Sequence, residues 1–249
     1  MTNWPEGYGR RLLGEVDSTL SEAARILPDL SGPTWIMARR QTAARGRRGR
    51  YWDSPEGNLY STVIFRPEGT PQQAALRSFV ASLALYDACV AVTGRTDGLA
   101  LKWPNDVLLN GGKLAGILLE SMGAGTGTTY LAIGIGVNLS DAPPPEMVEP
   151  GAVRPVSLAG ETGTLITPED FLVELAAAWD RCERQFTTLG FAPIREAWLA
   201  RAARLGEVVT ARTTTSETTG TFETVDADGQ LVLSTAGGRV RIPAADVFF

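Results

Sequence analysis

One stretch restricts the fold more than any other. From Thr128 to Leu139 the residues alternate, with Leu131, Ile133, Ile135, Val137 and Leu139 on one side and Ala132, Gly134, Gly136 and Asn138 on the other. A period of two is that of a β-strand, so the first set faces a core. The second set has almost no side chain until Asn138. Glycine inside a strand marks a close approach by something else. That face is a floor for a packed helix or for a flat or bulky ligand. Asn138 can hydrogen-bond a ligand there, which favours the second reading.

The other elements follow from pattern and punctuation. Residues 10–16 read as a strand, and Ser18 opens a short helix to Leu27 with Glu22 in its first turn. Thr34–Arg40 and Asn58–Phe65 read as strands, separated by an Arg/Gly loop over residues 42–57. Pro71 opens a long helix with Leu76, Phe79, Val80, Leu83, Ala84 and Val90 on one stripe, and Gly94 ends it. Strands are predicted at Leu99–Trp103, Val107–Leu109 and Lys113–Glu120, with a turn at Asn110-Gly111-Gly112. Pro143-Pro144-Pro145 begins an irregular connection. Thr167-Pro168-Glu169-Asp170 resembles a capping box. The helix it opens places Phe171, Leu175, Trp179, Cys182 and Phe186 on one side, and another helix covers residues 193–204. From Gly206 the chain reads as short strands with turns at Asp228-Gly229 and Gly237-Gly238. The predicted fold is α+β: a mixed, mainly antiparallel sheet with helices on one side, and a small C-terminal β-barrel packed against it. Residues 1–204 form the first domain and 205–249 the second.

Absences narrow the chemistry. The 249 residues include no histidine. That removes Ser-His-Asp and Cys-His hydrolysis and histidine-ligated metals. The two cysteines, Cys89 and Cys182, fall in predicted helices on or near the apolar face and read as small buried hydrophobes. No apolar run reaches membrane-spanning length, and the start, Met1 to Glu6, lacks the features of a signal peptide. A cytoplasmic location is expected.

The net charge is −5, yet six of the 23 cationic residues lie between Arg39 and Arg50. A concentrated basic patch on an acidic protein suits a small anion better than a long polyanion. In Arg45-Gly46-Arg47-Arg48-Gly49-Arg50 the glycines allow close bending and the arginines offer forked donors for carboxylate and phosphate. Read alone, the loop fits an RNA-binding Arg-Gly patch equally well. Its self-repulsion predicts mobility until an anion arrives. Trp52 follows it, placed to lie over a base or close the site.

Lysine is scarce: only Lys102 and Lys113 occur. A chain that otherwise uses arginine keeps lysine where a compact, mobile ammonium has work that a guanidinium cannot do. Lys102-Trp103-Pro104-Asn105-Asp106 is a stiffened turn between strands, and alone reads as an ordinary Asn-Asp turn. Strict alternation would put Lys113 and Gly116 on opposite faces. Either one of them lines the site, or a bulge realigns them.

Together these segments resemble the biotin–protein ligases, relatives of the lipoate ligases. The family's Gly-Arg-Gly-Arg-x-Gly-Arg loop corresponds to Ala44–Arg50. Its Lys-Trp-Pro-Asn-Asp is complete at 102–106. Its Gly-Lys-Leu-x-Gly-Ile-Leu-x-Glu stands at 112–120, its Gly-x-Gly-x-Asn at 134–138, and its early Ser-Thr turn at Val16-Asp17-Ser18-Thr19. The chain departs from the family at Leu20, where Asn is usual and where only backbone is expected to contribute, and at Ala44, where glycine is usual.

The resemblance implies a fold like the biotin ligases and class II aminoacyl-tRNA synthetases, with an SH3-like C-terminal barrel. It implies two steps. The biotin carboxylate attacks the α-phosphate of ATP to give biotinyl-5′-AMP and pyrophosphate, and a lysine of a biotin carboxyl carrier domain then attacks the mixed anhydride. By the same resemblance, Lys113 bridges the carboxylate and α-phosphate, and Arg45 and Arg47 hold the loop over biotin and the acyl-adenylate. Ser18, Thr19, Leu20, Gln41 and Gly46 belong to the biotin pocket, with Gly116 and Gly134 making room. Arg47, Arg50, Trp52, Lys102, Asn105, Lys113 and Asn138 serve ATP. Asp106 is the candidate to orient or deprotonate the incoming lysine. Mg²⁺ is expected to arrive with the phosphates; the sequence holds no all-protein metal cage. The first motif begins at Ser18, leaving no room before it for a DNA-binding segment, so no DNA or membrane partner is expected. The resemblance allows a homodimer. A lipoate or octanoyl ligase, a biotin-sensing repressor and an RNA-binding module are the competing readings.

Overall fold

The computed structural model describes residues 3–50, 52–122, 130–148 and 151–249. Its elements in chain order are β1 (Gly9–Val16), α1 (Thr19–Arg25), β2 (Thr34–Gln41), β3 (Leu59–Phe65), α2 (Pro71–Ala75), α3 (Arg77–Thr93), β4 (Leu99–Lys102), β5 (Asp106–Leu109), β6 (Gly112–Met122) and β7 (Tyr130–Val137). Then come α4 (Leu158–Thr162), α5 (Pro168–Leu189), α6 (Phe191–Leu199), β8 (Val208–Arg212), β9 (Glu217–Val225), β10 (Leu231–Thr235), β11 (Gly238–Ile242) and β12 (Asp246–Phe248). The first two residues of the expected strand Thr128–Leu139, and Tyr51 of the loop, lie outside the described residues.

Seven strands form one sheet in the order β1-β2-β3-β7-β6-β5-β4. Only β1 and β2 pair in parallel, so the sheet is mixed and mainly antiparallel as expected. β7 lies at its middle. Its Leu131, Ile133, Ile135 and Val137, with Leu139 just beyond, enter the main core beside α3, α5 and α6.

The other face is not bare. Helix α1 lies across it and packs Leu20, Ala23 and Ile26 onto Ile36, Ile64, Tyr130 and Ala132. Helices therefore flank both faces, not one as expected. A seven-residue helix with three buried positions is too short for periodicity to reveal which face it covers.

The predicted Pro71–Gly94 helix is broken at Leu76. The Phe79 amide donates to the Leu76 carbonyl at 3.0 Å, an i→i+3 turn tighter than the α-helix. Thr70 and Gln73 cap α2 reciprocally, and Gly94 closes α3 with φ 67°. The most apolar 18-residue window of Pro71–Thr93 has a mean hydropathy of 1.5, enough for a membrane span by length and composition alone. It is instead mostly buried, between the sheet and the helices α5 and α6.

Residues 208–248 give five antiparallel strands in the order β11-β10-β9-β8-β12. Among the described residues no pairing joins β11 to β12, so the expected barrel is an open five-stranded sheet. Its Phe222, Leu231, Leu233 and Val247 join the main core. Trp103 Nε1 donates to the Gly229 carbonyl at 3.1 Å, and Arg195 Nη2 donates to Thr224 Oγ1 at 3.3 Å. The two parts are therefore packed together.

Candidate active site

The sheet register assembles the chemistry. β5 and β6 pair through Asp106↔Gly116 and Val107↔Ala115, then shift to Leu108↔Lys113. The extra residue is Leu114, a β-bulge. It brings Lys113 and Gly116 onto one face, resolving the parity conflict in the sequence. Because facing residues share a face, Asp106, Lys102, Gly116, Gly134 and Gly136 are brought to the same side.

Every residue assigned to the site from sequence lines one cavity of about 280 Å³ on that face. The glycine floor, however, is already covered. A methyl group on Gly134 would come within 2.9 Å of Leu20, and one on Gly136 within 2.9 Å of Trp52 Nε1. On Gly116 it would come within 3.1 Å of the Trp52 ring. Gly134 therefore makes room for Leu20, which is 4% exposed. The expectation that Leu20 contributes only backbone is corrected: its side chain forms part of the floor. The floor carries both a packed helix residue and a flat indole.

The cationic centre lies beside that indole. Lys113 Nζ sits 2.7 Å from Asp106 Oδ1 and 5.6 Å from the Trp52 ring centroid. Lys102 Nζ is 3.7 Å from Asp106 Oδ2 and 5.7 Å from the Phe249 ring. Burial pushes the Lys102 ammonium below its usual range, against the opposing pull of Asp106. Burial also pushes the Asp106 carboxyl up, but Lys113, Lys102 and Arg47 outweigh it and hold it below the usual value. Asp106 is thus an anion with two ammonium neighbours.

The arginine loop is held from two directions. Arg45 reaches Glu120 of β6 with two bonds, Nε at 3.2 Å and Nη2 at 3.0 Å. Arg48 and Arg50 donate to Asp246 Oδ2 at 2.8 and 2.7 Å, and Arg47 donates to the Ala245 carbonyl at 3.1 Å. The self-repulsion read from the sequence is offset by these acids. The loop turns tightly at Arg48 and Gly49, with φ 57° and 73°. Ala44 is buried, and its carbonyl accepts from the Trp52 amide at 3.2 Å, fixing the base of the loop.

At the α1 end, Gln41 Oε1 accepts from the Thr19 amide at 2.8 Å and its hydroxyl at 3.2 Å, while Gln41 Nε2 donates to Ser54 at 3.4 Å. Ser18 is buried at the start of the helix. These groups form a fixed polar set at the helix N-terminus. At the other end, Asn138 Nδ2 donates to the Val156 carbonyl at 3.0 Å, and Asn105 Nδ2 donates to the Ile117 carbonyl. Both asparagines line the cavity, each with one amide donor engaged by backbone.

The family model for the biotin/lipoate A/B protein ligases matches residues 13–138. The chain belongs to that family. Within this ligase family it is 57% identical over 238 residues to a biotin–[acetyl-CoA-carboxylase] ligase of Paracoccus denitrificans, covering 96% of this chain and 99% of the relative. It is 31% identical over 250 residues to the bifunctional ligase/repressor BirA of Bacillus subtilis, covering 97% of this chain and 75% of that protein. The biotin protein ligase of Aquifex aeolicus, solved in complex with biotin and ATP, superposes with a TM-score of 0.82 at 26% identity, over 96% of this chain and 97% of that one. A second model, the biotin protein ligase C-terminal domain, matches residues 205–249.

Sequence reasoning missed part of this ligase's cavity. Asp246, Val247 and Phe248 of β12 line it, as do Pro143, Met147 and the segment from Gly151 to Val153. Nothing in the sequence near Asp246 marks it, because its partners lie nearly two hundred residues earlier. Asp53, next to Trp52, was within reach of the loop motif and also lines the site.

Proposed function

We propose that this chain is an ATP-dependent biotin–protein ligase that forms biotinyl-5′-AMP and transfers biotin to a lysine of a biotin carboxyl carrier domain. The observation that carries this reading is the gathering of both lysines, Asp106 and the arginine loop around one cavity above the β7 glycines. The 57% identity to a biotin–[acetyl-CoA-carboxylase] ligase supports biotin over lipoate.

In the first step a carboxylate oxygen of biotin bonds to the α-phosphorus, and the bond to the leaving pyrophosphate breaks. The step presses an anion onto a polyanion, so its barrier falls where cations await the developing charge in a partly dry pocket. Lys113 takes the position between carboxylate and α-phosphate. Arg45 and Arg47 cover the acyl-adenylate, while Arg50, Trp52 and Lys102 serve the nucleotide, with Asn105 and Asn138 shaping the wall. Ser18, Thr19, Leu20, Gln41 and Gly46 frame biotin, with Gly116 beneath. Mg²⁺ would be held by the substrate phosphates and would offset their charge, since the carboxylates of Asp106 and Asp246 already face cationic side chains.

In the second step the neutral carrier amine bonds to the acyl carbon, the acyl carbon–oxygen bond to AMP breaks, and the amine's proton passes to solvent. A carboxylate held below its usual pKa is a weak base. Asp106 therefore orients the amine rather than deprotonating it.

We assign the catalytic role to residues 1–204 and a nucleotide-side wall to residues 205–249. The reading takes the chain as cytoplasmic, with a net charge of −5 that argues against a DNA partner and with no membrane partner, and admits a homodimer. The test is ATP-dependent labelling of a carrier lysine with biotin and lipoate in parallel. Labelling by biotin alone supports the reading; labelling by lipoate alone, or by neither, overturns it.

A further inference from the structure

Asp246 is unusual among the carboxylates of this protein. Its Oδ2 accepts from Arg48 and Arg50 at 2.8 and 2.7 Å, and its Oδ1 lies 3.6 Å from Arg47. One carboxylate thus engages three guanidiniums of the loop. It comes from the last strand, its side chain is only 14% exposed, and it lines the same cavity as Lys102 and Lys113. The next residue back completes the grip, since the Ala245 carbonyl accepts from Arg47 at 3.1 Å.

Guanidinium forks bind carboxylate and phosphate oxygens with the same geometry. A phosphate and Asp246 cannot use the same N–H groups at once. We propose that Asp246 is a resident counter-anion, holding the arginine loop in register before nucleotide arrives and being exchanged for phosphate oxygens when ATP or pyrophosphate binds. The exchange rests on the reading of the loop as the phosphate-handling element. It makes the C-terminal sheet a tuner of polyanion affinity: the carboxylate competes with pyrophosphate and so favours its release after adenylation. Asp246 touches no reacting atom in this account; it positions Arg47 and Arg50, which line the cavity.

A merely structural tether and an exchanging counter-anion predict opposite signs. Removing a tether disorders the loop and weakens phosphate binding. Removing a competitor strengthens it. The probe is pyrophosphate with Mg²⁺, titrated calorimetrically into the full chain. Asp246→Asn is expected to bind it about 3- to 10-fold more tightly, the size of exposed to half-exposed ion pairs. Asp246→Glu keeps the charge and stays within about 2-fold of the wild type on that scale. Glu223→Gln, which removes the partner of Arg239 in the same sheet far from the loop, is expected to leave binding unchanged. Unchanged or weaker binding by Asp246→Asn, or equal tightening by Glu223→Gln, would overturn the exchange.

Carboxyl labelling with a carbodiimide needs no variant. In the wild type, labelling of Asp246 rises when pyrophosphate saturates the site. Constant or falling labelling contradicts the exchange. A wild-type chain that binds no pyrophosphate overturns the phosphate role of the loop itself, and the exchange with it.

Discussion

Lys113 and Asp106 meet at 2.7 Å across neighbouring strands because a bulge at Leu114 turns both toward one face. Asp106→Asn leaves Lys102 and Lys113 without their shared anion. Transfer from preformed biotinyl-AMP to the carrier is expected to slow by about 10- to 100-fold, the scale of a misplaced reactant. Single-turnover kinetics with isolated adenylate measures it. Slower adenylate formation with unimpaired transfer would remove Asp106 from the second step.

The same pair has a pH signature. The folded pKa of Asp106 lies below its ordinary value. Its stabilisation is therefore fully present above the unfolded carboxylate pKa of about 3.9 and is lost as pH falls through the lower folded value. Denaturant midpoints of the wild type and Asp106→Asn are expected to differ most near neutrality and to converge in acid. A gap that does not change with pH would contradict the ion-pair account.

The glycine floor has measurable tolerance. Gly134→Ala drives a methyl group into Leu20, and Gly136→Ala drives one into Trp52. Each is expected to destabilise by about 1–3 kcal/mol through overpacking. Their effects on substrate separate: the first raises KM for biotin and the second raises KM for ATP. Identical KM changes in both variants would refute the division of the floor.

How much of this was legible in the sequence depended on distance along the chain. The alternation at 131–139 placed the core face of β7 correctly, because period two is a local property. The cationic motifs were legible because each keeps its chemistry within a few residues. The face covered by α1 was not legible, and neither was the place of Leu20 on Gly134, since both depend on how a short helix docks. The break at Leu76 was hidden because the apolar stripe runs through it. Asp246 was invisible for the strongest reason: its contacts with Arg48 and Arg50 span 198 and 196 positions.

Arg77 provides a stability prediction away from the site. It is 1% exposed, stacks on Phe65 and Phe186 at 5.5 and 4.9 Å, and donates to Glu183 at 2.8 Å. Burial pushes the Glu183 carboxyl up, with Arg77 opposing it. Arg77→Met alone strands a buried carboxylate and is expected to cost about 3–5 kcal/mol, whereas Arg77→Met with Glu183→Leu costs much less. Urea midpoints decide this, and a double variant as unstable as the sum of the two single variants would contradict it.

The central claim is that Lys113, beside Trp52 in the cavity that the arginine loop also lines, holds the biotin carboxylate against the α-phosphate. Pyrophosphate release with ATP and biotin tests it most directly, measured for the wild type and for Lys113→Ala with folding checked by circular dichroism. The expected result is biotin-dependent release by the wild type and a loss of at least about 100-fold in the folded variant, the scale of removing a principal charge-stabilising group. No biotin-dependent release by the wild type, or an undiminished rate in Lys113→Ala, would contradict the claim.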